Sequence, residues 1–154
     1  MKQMSSQEPT LPEGKQATGT VLDAMPTPPC ARLLGYRFLS VDRAAKTMRV
    51  SFTASSDMLN PAGTIQGGFL TAMLDDVMGS MIVVLTDGEK YPASIDLHAR
   101  FLRPAKPGAL TGEARLAHMT SSLAFTEADL YDEAGELVAS AIQTQRLFPI
   151  RSKG

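Results

Sequence analysis

The run from Phe69 to Leu85 carries no charge except Asp75 and Asp76, side by side at its centre. Leu70, Met73, Leu74, Val77, Met78, Met81 and Leu85 recur at three- and four-residue spacing, which predicts a helix with one broad apolar stripe. The run is nearly long enough to cross a bilayer. Two adjacent carboxylates in hydrocarbon are costly, however, so the segment reads as the buried helix of a globular domain. Consecutive helical residues point about 100° apart, so Asp75 and Asp76 flank the stripe on opposite sides and cannot work as a paired-carboxylate site. Gly67-Gly68 precedes the run and Thr86-Asp87-Gly88-Glu89 stops it with turn chemistry. One such helix needs a large apolar partner surface, and the rest of the chain must supply it.

That partner is a sheet. Thr47 to Thr53 alternates Met48, Val50 and Phe52 with polar residues, the period of a half-buried strand, and Tyr36 to Val41 precedes it. After the helix come four more strand-like runs: Ala93 to Arg103, Leu110 to His118, Leu123 to Tyr131 and Leu137 to Leu147. In the first of these, alternation sets Ile95, Leu97 and Phe101 on one face and Ser94, Asp96, His98 and Arg100 on the other. Two strands, one helix and four strands on short turns make an α+β fold, an antiparallel sheet on a single central helix. One helix cannot cover both faces of six strands, and the Thr, Ser and Ala on the polar faces suit packing against another subunit.

The chain thus divides into a flexible, Pro- and Ser-rich arm (1–29), a domain (30–148) and a short tail (149–154). A length of 154 residues, 44% apolar and 20% charged, fits one globular domain. A net charge of −1 gives no general attraction to nucleic acid or to an anionic membrane. The one cysteine, Cys30, stands by prolines without a visible base and reads as a small apolar filler. With no internal disulfide and no secretory leader, a reducing cytoplasm is expected. Cys30, His98 and His118 lack metal-ligand spacing, so no metal is expected. The two histidines read as hydrogen-bonded or solvated residues, Asp76 as a polar or interface contact, and Met73, Met78 and Met81 as core.

Glycines at a helix start let backbone N–H groups approach a ligand oxygen, where the unpaired amides and the helix dipole favour developing negative charge. Asp75 lies two turns on, about 12 Å along the axis, a separation suited to an extended ligand or to a site shared by two chains. The order Asn60…Gly63-Thr64-Ile65-Gln66-Gly67-Gly68…Asp75 resembles the hotdog-fold acyl-CoA thioesterases of the phenylacetate-pathway and 4-hydroxybenzoyl-CoA type. Phe101-Leu102-Arg103-Pro104-Ala105 is similar to that family's strand-end motif, and Ala124-Phe125 through Leu137-Val138-Ala139 to its closing hairpin. The likeness runs from about Leu33 to Leu147.

The resemblance implies a hotdog fold, with the sheet wrapped around the helix, and sites at the interface of a homodimer or dimer of dimers. It implies hydrolysis of an aryl- or medium-chain acyl-CoA to free acid and CoA, with no cofactor beyond the CoA of the substrate. The Gly67 N–H would polarise the thioester carbonyl, with Gly68 beside it. Asp75 of a partner subunit would act as base or nucleophile, and Asn60 would orient water or carbonyl. Ser94 stands where some relatives position water. Ser121 and Ser122, in a turn, and Arg103 and Lys106, as cations, would contact the CoA phosphates and nucleotide.

One position departs from the family pattern. Gln66 stands where most relatives of this type carry His; it can hydrogen-bond the loop or carbonyl but cannot carry a proton at neutral pH. A non-catalytic acyl-CoA-binding module or sensor on the same fold is therefore the alternative. A dehydratase or hydratase ranks lower, since no His stands in the loop or helix.

Overall fold

The structure, a computed structural model, describes residues 16–150. The first fifteen residues of the arm and the last four of the tail lie outside it. Two strands, β1 (Arg37–Asp42) and β2 (Thr47–Ala54), lead to the long helix α2 (Gly67–Leu85). A short helix, α1 (Pro29–Leu33), precedes them. Four strands then complete the chain: β3 (Lys90–Phe101), β4 (Gly108–Met119), β5 (Leu123–Tyr131) and β6 (Leu137–Pro149). All six join one sheet in the order β1-β2-β4-β5-β6-β3, antiparallel throughout.

Helix α2 lies across one face of this sheet. Met48, Val50 and Phe52 of β2, Leu110, Ala114 and Leu116 of β4, Ala124, Ala128 and Leu130 of β5, and Ala139, Ala141 and Leu147 of β6 are buried beneath it. From the helix side Leu70, Met73, Leu74, Val77, Met78 and Met81 are buried as their spacing predicts, and Ile82, Val83 and Val84 join them. The second half of α2 is thus enclosed nearly all round. Each large apolar side chain removed from water here contributes roughly 1.5–3 kcal/mol, so this layer is the main source of stability.

Sequence alternation misplaces part of β3. Ladder pairing shifts register between Ser94 and Asp96, a bulge at Ile95. An extra residue reverses the parity upstream of it. Ser94 therefore shares the helix-facing side with Leu97, opposite the buried Gln145 and Gln143, and Ile95 is left 57% exposed. Pro92 sits within β3 at no cost to the ladder because β3 is an edge strand with β6 as its one neighbour among the described residues.

The amino-terminal side also differs in detail. Cys30 is exposed; Ala31 on α1 and Leu34 at its C-cap do the packing instead. Within the described part of the arm, the Asp23 carboxylate accepts from the Thr18 N–H, the Thr18 hydroxyl and the Gly19 N–H. This closes a 3-10 turn, Val21–Ala24, whose Val21 rests against Gly88 just past the end of α2.

Candidate active site

The loop before α2 is built by Asn60. Its Oδ1 accepts from the Ala62 and Thr64 N–H groups at 2.9 and 3.2 Å, and its Nδ2 donates to Thr64 Oγ1 at 3.0 Å. Asn60 is thus a brace for the turn, with Gly63 at φ +76° completing it. The Ile65 N–H then bonds the Ala105 carbonyl and the Gln66 N–H bonds the Met58 carbonyl, which fixes where α2 begins. Gln66 occupies the N-cap position, exposed, and its side chain makes no capping bond. The N–H groups of Gly67 and Gly68 find no acceptor among the described residues, so the helix tip offers two free donors.

Phe101, at the end of β3, covers this tip. A Cβ placed on Gly67 would lie 3.1 Å from the Phe101 ring, so only glycine gives the ring and the amide this spacing. The hydrogen bond from Ile65 to Ala105 also draws the 102–107 loop alongside. Arg103, paired with Glu136 at 3.4 Å, and Lys106, exposed and without an ion pair among the described residues, stand on that loop. Both cations expected to meet CoA therefore flank the glycine end.

Asp75 is exposed at the middle of α2 and faces the start of β3. Ser94 Oγ donates to its Oδ1 at 2.8 Å, and Gln143 Nε2 donates to the same oxygen. Gln143 Nε2 also donates to Ser94 Oγ at 2.7 Å, and Gln145 Nε2 donates to Gln143 Oε1 at 2.8 Å. Both glutamines are buried on β6, and Gln145 Oε1 is left without a partner among the described residues. One carboxylate oxygen is thus clamped, while Asp75 Oδ2 accepts no hydrogen bond among the described residues. Sequence reasoning missed Gln143 and Gln145. Their parity with Ala141 and Leu147 on β6 was the available signal, since it puts two amides at positions meant for core.

Asp76 has a different setting. It is partly buried, its Oδ2 has no partner among the described residues, and desolvation with the neighbouring Asp75 charge pushes its carboxyl up to about 6. Tyr36 donates to Ser80 Oγ at 3.1 Å on the same flank, and burial above all pushes its phenol up to about 12. Ser121 and Ser122 lie exposed in the β4–β5 turn, where Thr120 Oγ1 accepts from the Ser122 N–H. That turn is beside the beginning of β3, at the opposite end of the sheet from Gly67. His118 stacks on Phe125 and His98 lies on the face of the sheet away from α2, so neither approaches the helix.

A single chain therefore gathers two half-sites: a free amide at the tip of α2 and a held carboxylate two turns along the same helix. A family model described as the thioesterase superfamily matches residues 62–139, from the Asn60 loop into β6. The chain belongs to the thioesterase superfamily. As a member it is a thioester hydrolase, and its fold is the hotdog arrangement that the resemblance implied. This superfamily chain is 30% identical over 118 residues to acyl-coenzyme A thioesterase 13 of Homo sapiens, across 75% of this chain and 83% of that one. Among solved structures, the phenylacetic acid degradation-related protein of Ralstonia eutropha JMP134 is 35% identical. It covers 82% of this chain and 95% of its own, with a TM-score of 0.76. The PaaI protein from the E. coli phenylacetic acid degradation operon superposes with a TM-score of 0.69 at 22% identity, over 77% of this chain and 83% of that one. At that identity the likeness speaks for the fold alone.

Proposed function

We propose that this thioester hydrolase acts on an aryl- or medium-chain acyl-CoA, with Gly67 and Asp75 as its catalytic groups. The observation that carries this reading is the pairing of an unbonded helix-tip amide with a clamped carboxylate whose second oxygen is open. The thioester carbonyl oxygen sits at the Gly67 N–H, which stabilises the oxyanion of the tetrahedral intermediate. Asp75 Oδ2 either takes a proton from the attacking water or attacks the carbonyl carbon itself; collapse then expels the CoA thiolate, and in the second case water cleaves the resulting mixed anhydride to the free acid and the Asp75 carboxylate. Ser94 and Gln66 border these steps, and Asn60 shapes the loop that holds the amide. Arg103 and Lys106 are placed to meet phosphate groups of CoA, with Ser121 and Ser122 as contacts from a neighbouring copy. The name of the human relative supports a CoA ester, and that of the Ralstonia structure, a phenylacetic acid degradation-related protein, supports an aryl acyl group.

Reacting groups must come within about 3–3.5 Å of one carbon, but these two lie about 12 Å apart along one helix. A homodimer resolves this. The free edge of β3 runs from Ser94, bonded to Asp75, to Phe101, covering Gly67. An antiparallel pairing of two such edges about a twofold axis through His98, with Ile95 as the bulged extra residue, would set Ser94 of one copy opposite the partner's Phe101. Each carboxylate then meets the other chain's amide.

The test is thiol release from a panel of aryl- and medium-chain acyl-CoAs. Turnover of at least one is expected, and Asp75→Asn should lower its kcat by about 10²–10⁴-fold with the fold intact. Binding without thiol release by the folded wild type would assign the alternative, a CoA-ester sensor. Retention of the full rate by Asp75→Asn would remove the carboxylate from the mechanism.

A further inference from the structure

We infer that Gln143 is a positioning residue for Asp75, oriented in turn by Gln145. The inference rests on the reading of Asp75 as the catalytic carboxylate and adds how this chain aims it. The hydrogen count closes at each member of the network. Gln143 Nε2 has two protons, one given to Asp75 Oδ1 and one to Ser94 Oγ. The Ser94 hydroxyl proton goes to the same Asp75 oxygen. Gln143 Oε1 receives the Gln145 N–H. Turning the Gln143 amide over would set its oxygen against both the carboxylate and Ser94, and would set its N–H against a donor. Its orientation is therefore fixed from both ends.

The placement has a further consequence. Asp75 sits on the exposed side of α2, where a free aspartate side chain samples several rotamers. Gln143 is 3% exposed and Gln145 1%, so their own side chains are immobilised by packing. A buried amide on a central strand thus lends its rigidity to an exposed acid on the helix. Both donors act on Oδ1, which leaves Oδ2 as the oxygen that reaches the carbonyl or water. Burying two glutamines, one with an unpaired oxygen, costs stability that an apolar pair would not. A site that needs its carboxylate held within a few tenths of an ångström accounts for keeping them.

The experiment compares Gln143→Met and Gln145→Met, near-isosteric and apolar, with wild type on an acyl-CoA that the wild type hydrolyses. Gln143→Met is expected to lower kcat by about 100-fold, the order of effect of misplacing a reacting group by 1 Å, with KM changed less than about 3-fold. Gln145→Met should lower kcat by about 10-fold, and adding it to Gln143→Met should lower it no further, because it acts through Gln143. In an Asp75→Asn background the residual rate should be indifferent to Gln143→Met, whereas a packing role would depress it again. A Gln143→Met enzyme with kcat within twofold of wild type overturns the inference, as does a loss that falls on KM alone. Should Gln143→Met fail to fold, Gln145→Met carries the test by the same split and the same background. Asp75→Asn at full rate would instead overturn the functional reading beneath it, so the two failures are distinct.

Discussion

Two carboxylates one residue apart show how far side-chain surroundings outweigh residue type. Asp75 accepts two donors on one oxygen and meets solvent with the other, whereas Asp76 is turned into the protein with Oδ2 unpaired. Burial, assisted by the Asp75 charge, holds the Asp76 carboxyl at about 6 against an ordinary value of 3.8. A folded-state value above the unfolded one means that the folded chain binds the proton more tightly. Stability from this group is therefore present at low pH and is lost as pH rises between about 4 and 6. That difference corresponds to at most about 3 kcal/mol, reduced by the solvent that still reaches the group. Asp76→Asn, which mimics the protonated acid, should raise the melting temperature at pH 7–8 and leave it unchanged at pH 4. Melting curves of both proteins across that range decide it. An equal gain at both pH values would place the effect outside Asp76 ionisation.

At the scale of elements, most of the architecture was legible because it follows from two periods, 3.6 in α2 and 2 in the strands. The stripe through Leu70, Met73, Leu74, Val77, Met78 and Met81 is the face that packs, and the β2 alternation is the buried pattern observed. The Gly67 tip and Asp75 were legible through spacing and resemblance. What alternation could not reveal was a change of phase. The bulge at Ile95 carries Ser94 over to the helix side, and only that shift brings it within 2.8 Å of Asp75. The partners on β6 were hidden for a related reason, since their sequence distance from Asp75 is closed only by the sheet. Gly112 illustrates a packing requirement that composition does not announce. A Cβ there would lie 3.0 Å from Phe52, 3.3 Å from Val50 and 3.4 Å from Val77, all fully buried. Gly112→Val is expected to destabilise the domain by about 1–3 kcal/mol through overpacking between β4 and α2. Urea unfolding reads this directly, and an unchanged midpoint would mean that the layer has slack.

At the scale of the whole molecule, a long edge strand and a site split along one helix pose a single problem. Strand β3 is twelve residues long, pairs among the described residues only with β6, and exposes Ile95 and Phe101. Such an edge invites a second copy unless something blunts it. If twofold pairing joins one chain's Asp75 to the other's Gly67, two dead variants should restore each other. Gly67→Pro suits this test, because proline is favoured at the first helical position and removes the one N–H in question. The extended backbone of Gln66, at φ −57° and ψ 132°, already suits a following proline. Half-exposed Phe101 can swing away from the new ring. In a dimer of Asp75→Asn with Gly67→Pro, one site carries both substitutions and the other carries neither. Refolding the two inactive proteins together in equal amounts should therefore yield about a quarter of wild-type activity by random twofold pairing. A site contained within one chain would give none, since every protomer would lack one of its two groups.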